Sequence, residues 1–372
     1  MSARPSSSKK VLLVLPEVFN CAGGIQMFCR ALCLAAGDWA HDSGASVSAL
    51  VLNDAIAPDA RYVNGDFTSY SGAGKSKAKF LTQYLRNITS NRYDWIIFGH
   101  VSLSPLGLIA KPFNSRVKTA IAAYGIEVWG PISKLERKAL RQADVVLAIS
   151  EYTKSQLTKH PEIDADKVKI FPCTLDPHWK LDAYEAMPAQ TPPVILSVAR
   201  ISKDDRYKGI DNVIRSLPAV VREVGPVEYR VVGRGDDTPR LRALAAGLGV
   251  SRYVNFMGSV TDAELREQYE RCSLFVMPSN EEGFGIVFLE AMAHGKPVIG
   301  GANGGTPSVV THAETGLLVD GSDVAGITQS LIELLNNREM RERFGRAGHK
   351  RLSDHFTFAE FAKTFRDVLQ SV

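Results

Sequence analysis

Four groups of residues have types and spacings suited to chemistry on an activated, anionic substrate. The first is Glu282-Gly-Phe-Gly-Ile-Val-Phe-Leu-Glu290, which follows an apolar run and the polar loop Pro278-Ser-Asn-Glu281. Gly283 and Gly285 let the backbone around Phe284 and Ile286 approach a ligand where a helix begins. Such a helix start attracts phosphate. Glu282 sits just before the helix and Glu290 eight residues later, so the two carboxylates are displaced along its axis by a little over two turns. One can contact a sugar at the loop and the other a ribose diol along the helix. A solvated acidic loop with an ordinary surface glutamate is the bland alternative. The second group is Arg200 and Lys208, in a loop that follows another apolar run. Converging on one pyrophosphate, they neutralise its charge and that of a departing phosphate. Lys203 and Arg206 of the same loop are the alternatives. The third is Gly23-Gly24, a turn into a helix that can lay amides against a phosphate, although a tight turn explains it equally well. The fourth is His100, which ends an apolar run and either faces a ligand or serves structure.

The elements that must position these groups appear as apolar runs alternating with helical spacing. Continuous apolar runs predict buried strands over 11–15, 47–52, 95–98, 117–123 and 144–149. A helix begins near Ile25 and carries Phe28, Leu32 and Ala35; Cys29 and Cys33 fall on its buried face. Residues 134–142 form a basic helix with Lys134, Arg137, Lys138 and Arg141 close to one face. The stretch 182–193, with Pro188, Pro192 and Pro193, reads as a linker. Strands then follow over 194–199, 229–232, 253–257, 274–277 and 298–299, alternating with helices over 210–224, 239–248, 262–271 and 286–294. Phe361, Phe365 and Val368 give a terminal helix. Alternation on both sides of a linker predicts an α/β protein of two doubly wound parallel-sheet domains, 1–185 and 186–356, followed by helix 357–372. Ligands bind beyond the carboxyl ends of such strands, and facing domains form a cleft for a small molecule.

Composition narrows the classes. The 372 residues are 45% hydrophobic and 23% charged, the balance of a folded globular chain. No run reaches the ~20 apolar residues of a membrane helix; residues 95–110 come nearest and are broken by His100, Ser102, Ser104 and Pro105. The first ten residues lack the apolar core of a secretory signal and read as a short mobile arm. Five cysteines without a C-x-x-C pair fit reduced thiols in the cytoplasm. Net charge is +4, with residues 1–186 at +5 and the rest at −1. That asymmetry suits an anionic partner for the first half, such as a membrane surface, and is too small for nucleic acid.

Three motifs fall short. Ser71-Gly-Ala-Gly-Lys75-Ser76 is P-loop-like, but Ser69 stands at the first glycine and no strand is read before it. Gly233-Arg-Gly235 has no third glycine for a dinucleotide fingerprint. Asp164-Ala-Asp166 reads as a turn former. No His-rich constellation supports a required metal.

Together these motifs resemble the retaining nucleotide-sugar glycosyltransferases of the GT-B fold, family 4 (glycosyl transferases group 1). The resemblance spans nearly the whole chain and implies that helix 357–372 crosses back to the first domain. It includes Gly23-Gly24, Asp144-Val-Val-Leu-Ala-Ile-Ser150-Glu151, Arg200 with Lys208-Gly209, the Glu282 to Glu290 motif, Gly304-Gly305 and Thr315-Gly-Leu-Leu-Val319. It implies that Arg200 and Lys208 bind the donor diphosphate, Glu290 the ribose and Glu282 the transferred sugar. Backbone at Phe284, Gly285 and Ile286 would contact sugar and phosphates. Gly23 and Gly24 would face the β-phosphate, and Arg234 and Val260 would border the base. It implies retention at the anomeric carbon, with no side-chain nucleophile, no metal and no cofactor. A UDP-sugar is the first donor expected and GDP-mannose the next. The acceptor is a lipid-linked or surface-polysaccharide intermediate, reached by a cytoplasmic enzyme with peripheral contact at the inner membrane face. A sugar-nucleotide epimerase and a silent sugar-nucleotide sensor are the other readings. Two departures stand out. Tyr124 occupies the place of a family histidine, so His100 or Glu127 would share its role, and Ser308 replaces a usual glutamate.

Overall fold

The computed structural model describes residues 9–185 and 191–370. Residues 1–8 of the expected arm and 186–190 of the expected linker lie outside the described residues. The chain divides into two compact units, Met1–Trp179 with Thr357–Val372, and Lys180–Phe356.

The first unit begins with β1 (Lys10–Leu15), α1 (Gly24–Ser43), β2 (Ser46–Val51), β3 (Phe67–Gly72) and α2 (Lys77–Ser90). It continues through β4 (Trp95–Phe98), α3 (Gly107–Phe113), β5 (Lys118–Ala123), α4 (Ile126–Trp129) and α5 (Lys134–Gln142). It then adds β6 (Val145–Ala148), α6 (Glu151–Leu157) and β7 (Val168–Ile170). The seven strands lie in the order β3-β2-β1-β4-β5-β6-β7, and every pairing is parallel. Val11 to Leu15 are fully buried, because a parallel strand covered by helices on both faces needs apolar residues at every position. Helix α1 turns Phe28, Cys29, Leu32, Cys33 and Ala36 inward, a spacing of three and four that keeps them on one stripe.

The second unit holds β8 (Val194–Val198), α7 (Ile210–Val224), β9 (Glu228–Val232), α8 (Thr238–Gly247), β10 (Val254–Gly258) and α9 (Asp262–Arg271). After these come β11 (Leu274–Met277), α10 (Ile286–Ala293), β12 (Val298–Gly301), α11 (Thr306–Val309), β13 (Gly316–Val319), α12 (Val324–Asn336) and α13 (Arg338–His355). Its parallel sheet runs β10-β9-β8-β11-β12-β13. The final helix, α14 (Phe358–Gln370), belongs to the first unit. Phe361 meets the ring edges of Phe28 at 5.3 Å and Phe171 at 4.6 Å. Arg366 pairs with Asp42 on α1 at 3.1 Å.

One reading is corrected here. A strand, β3, does precede the P-loop-like segment, and Ser76 caps the helix after it. The segment still holds no free cradle. The amides of Ala73, Gly74 and Lys75 donate to the carbonyls of Val51, Asp54 and Leu52. The Asp164 carboxylate accepts the Asp166 amide and shapes a turn, as its sequence context indicates.

Asp54 fixes the loop that follows β1. It is fully buried and accepts the amides of Val18 (3.1 Å) and Phe19 (3.0 Å) and the Tyr70 hydroxyl (2.6 Å). Asp54→Ala strands these donors, so thermal or denaturant unfolding is expected to show a loss of about 3 kcal/mol. A variant as stable as the parent contradicts this account of the loop.

Candidate active site

In each sheet the strand order reverses beside the first strand, and loops leaving the two strands at that point part to opposite sides. In the second unit those strands are β8 and β11, which pair in parallel. Their loops carry Arg200 and Lys208 on one side and Glu282 on the other. The loops interlock: the Tyr207 carbonyl accepts the Asn280 amide at 2.9 Å. Gly209 has φ +73°, and a Cβ there would lie 2.8 Å from the Pro278 carbonyl oxygen. Both the left-handed backbone and the close approach require glycine. The result places Lys208 Nζ 3.2 Å from Glu282 Oε2, with each side chain only 17% exposed.

Arg200 lies on the same loop but has a different partner. Its Nε and Nη2 donate to the two oxygens of Asp205 at 2.5 and 2.9 Å. Burial pushes the Asp205 carboxyl up, but hydrogen bonds from Arg200 and Ser202 and the guanidinium charge outweigh it and hold the group down at about 2. Of the alternatives, Arg206 pairs with Asp237 at 3.0 Å and Lys203 with Asp236 at 3.8 Å.

Neighbouring loops are stitched to this pair. The Gly305 amide donates to the Glu282 carbonyl at 2.6 Å, which ties the loop after β12 to the acid's backbone. Helix α10 opens at Gly285 without a side-chain cap. Among the described residues, the amides of Phe284, Gly285 and Ile286 have no protein acceptor. Four residues into α10, Glu290 is buried and accepts the Tyr269 hydroxyl at 2.7 Å. The Tyr269 ring stacks on His294 at 5.8 Å. Arg234, exposed, follows β9, and its carbonyl accepts the Ile201 amide at 3.0 Å. Val260 is half-buried after β10, and the Gly233 amide bonds the Gly258 carbonyl at 2.8 Å between these two loops. A Cβ on Gly235 would stand 1.8 Å from the Ile201 carbonyl oxygen. The Gly233-Arg-Gly235 glycines therefore serve close backbone packing.

The first unit presents Gly23, Gly24 and His100 at its own reversal point, after β1 and β4. Gly23 and Gly24 are exposed at the uncapped start of α1. His100 Nδ1 accepts the Ser102 amide at 3.0 Å, capping a short 3-10 turn over Val101–Leu106. In the neutral ring the proton therefore sits on Nε2. Tyr124 turns inward: its hydroxyl donates to the Gly99 carbonyl at 2.8 Å and its ring meets Phe28 edge-on at 5.1 Å. Burial pushes its phenol well above the ordinary range. Glu127 accepts the Tyr124 amide at 2.5 Å. Ser308 sits in the short helix α11, where its carbonyl accepts Arg351 at 2.8 Å. Asp205, Tyr269 and Asn280 were not read as functional from sequence. The two acids between Arg200 and Lys208, Asp204 and Asp205, are the one signal visible in the sequence. Among the described residues no three His, Cys, Asp or Glu side chains gather as a metal-holding group.

Two parallel-sheet units of this topology have the architecture of the GT-B class. Family models match both units: Glycosyl transferases group 1 over residues 184–351 and Glycosyltransferase Family 4 over residues 23–179. A GDP-mannose-dependent alpha-(1-6)-phosphatidylinositol monomannoside mannosyltransferase of Mycobacterium tuberculosis is 29% identical over 77% of this chain and 78% of that protein. A GDP-mannose-dependent monoacylated alpha-(1-6)-phosphatidylinositol monomannoside mannosyltransferase of Corynebacterium glutamicum is 31% identical over 76% of this chain and 78% of that one. Among solved structures, sucrose-phosphate synthase from Thermosynechococcus elongatus superposes with a TM-score of 0.76 at 20% identity, covering 98% of both chains. Anabaena HepE with UDP and glucose gives 0.73 at 18% identity, covering 98% of this chain and 100% of that one. The chain belongs to the group 1 glycosyl transferases, family 4.

Proposed function

We propose that the chain is a retaining, metal-independent hexosyltransferase that uses GDP-mannose and a lipid-linked glycan acceptor. The observation that carries the chemistry is the Lys208–Glu282 juxtaposition beside the uncapped start of α10. Lys208, Arg200 and the amides of Phe284, Gly285 and Ile286 take the diphosphate and offset the charge that grows on it as the sugar departs. Glu290 takes the ribose hydroxyls, and Glu282 holds the sugar. Arg234 and Val260 border the base. The acceptor hydroxyl attacks on the face the nucleotide leaves, and the departing diphosphate takes its proton. Family breadth alone favours a UDP-sugar. The named mannosyltransferases of M. tuberculosis and C. glutamicum shift the preference to GDP-mannose.

Lipid-linked acceptors fit the first unit as well. Lys134, Lys138 and Arg141 are exposed and recur at helical spacing on α5, with Leu135 61% exposed beside them. A cationic stripe flanked by an apolar side chain suits an anionic bilayer surface. Among the described residues no helix is long and apolar enough to cross a membrane, so contact at the cytoplasmic face would be peripheral.

Two measurements test the reading. Lys208→Ala is expected to reduce transfer by about 10²–10³-fold, as when a charge-stabilising donor is removed, with circular dichroism unchanged. In parallel, Glu282→Ala is expected to lose more turnover than affinity for free GDP by calorimetry. Near-normal turnover of the first variant, or equal losses in the second, refutes the site. GDP-mannose and UDP-hexoses are compared in the same assay. Epimer formation without acceptor, or tight donor binding without transfer to any acceptor pool, supports the epimerase or the sensor instead. For the membrane, the protein is expected to pellet with anionic liposomes at low salt and to be released by high salt or by Lys134→Glu with Lys138→Glu; failure to pellet at low salt removes that contact.

A further inference from the structure

We infer that Asp205 is a positioning residue that aims Arg200 at the donor diphosphate, an inference that rests on the proposed role of Arg200. The Arg200 side chain is 73% exposed. A long exposed arginine samples many rotamers, and ordering it on ligand binding opposes affinity. Asp205 removes that freedom beforehand. Its own side chain is 3% exposed, and it sits in the short 3-10 stretch Lys203–Lys208. It accepts Arg200 through two bonds, along with the hydroxyls of Ser202 and Tyr207. Tyr207 in turn is held by the Asn280 amide, so Asp205 is referenced to the same frame that sets Lys208 beside Glu282.

The geometry leaves half of the guanidinium for a ligand. Asp205 occupies the Nε and Nη2 edge, and among the described residues Nη1 has no acceptor. A guanidinium presents a second fork of matching shape to a phosphate. Arg240, in the same patch, shows the contrast. Its Nε and Nη2 bond Asp237 and its Nη1 bonds Asp211, so no edge remains. Arg200 is held in the way of a ligand-facing group and Arg240 in the way of a structural one.

The competing view is that Asp205 merely neutralises Arg200 and competes with the diphosphate, and the two views predict opposite signs. Calorimetry on the full chain would compare GDP with GMP for Asp205→Asn, Arg200→Ala and the double variant. Positioning predicts that Asp205→Asn weakens GDP binding by about tenfold or more while GMP changes by no more than about twofold, since the lost aim acts on the diphosphate. In the Arg200→Ala background the same change is expected to have no further effect. Steady-state kinetics would show the donor KM raised and the acceptor KM unmoved. Tyr207→Phe, which loosens Asp205 without removing its charge, moves GDP affinity in the same direction and provides the test if Asp205→Asn does not fold. Unchanged or tighter GDP binding by Asp205→Asn, with Arg200→Ala impaired, overturns the inference alone. Unchanged GDP binding by Arg200→Ala overturns the reading beneath it.

Discussion

The ion pair between Lys208 and Glu282 is the contact on which the second unit's site depends. It is made by two loops that leave neighbouring parallel strands, so its geometry is only as good as the hold of each loop on the other. The Tyr207–Asn280 backbone bond and the packing of Gly209 on Pro278 provide that hold. The pair is shielded, and an ammonium so placed is held in position before any ligand arrives. Lys208 retains two further protons to donate. Positioning of this kind costs no reorganisation at the moment of reaction, which is where electrostatic stabilisation gains most.

Two glycine-rich segments compete on paper for a phosphate, and accounting for backbone donors separates them. At residues 71–76 the amides of Ala73, Gly74 and Lys75 are consumed by carbonyls of the β2 end and the loop after it. At residues 282–286 the Glu282 carbonyl is consumed by Gly305, but the amides that open α10 are not. A buried backbone donor must find a partner, so the first segment is a packed corner and the second retains donors for a ligand. Glycine content alone does not distinguish them.

Much of this was legible because buried parallel strands are continuous apolar runs. Trp95–Phe98 and Leu274–Met277 read directly from their residues. β3, Phe-Thr-Ser-Tyr-Ser-Gly, was not legible: it is an edge strand, mostly half-exposed, with no apolar run or strict alternation to mark it. The fold class, the order of the main elements and the Arg200, Lys208 and Glu282 loops followed from pattern. The partners did not. That Arg200 is shared with Asp205, or that Glu290 meets Tyr269 from another helix, depends on backbone paths that periodicity does not encode.

Tyr124 shows how a departure from a family pattern can be accommodated by the chemistry. Its hydroxyl is spent on the Gly99 carbonyl and its ring is packed against Phe28, so it has no proton to exchange with a substrate. Glu127 is likewise committed to the Tyr124 amide. His100, stacked on Tyr124 at 5.8 Å, accepts the Ser102 amide through Nδ1. A ring held that way offers a donor at Nε2 in its neutral form, and to act as a base there it would first have to move its proton to Nδ1 and break the cap. Under the proposed reaction this is no obstacle. In that reaction the departing diphosphate would take the acceptor proton, and His100 would serve as a fixed hydrogen-bond donor rather than a base. The buried Tyr124 gives His100 that rigidity, so an aromatic side chain at the place of a histidine is compatible with transfer for a stated physical reason.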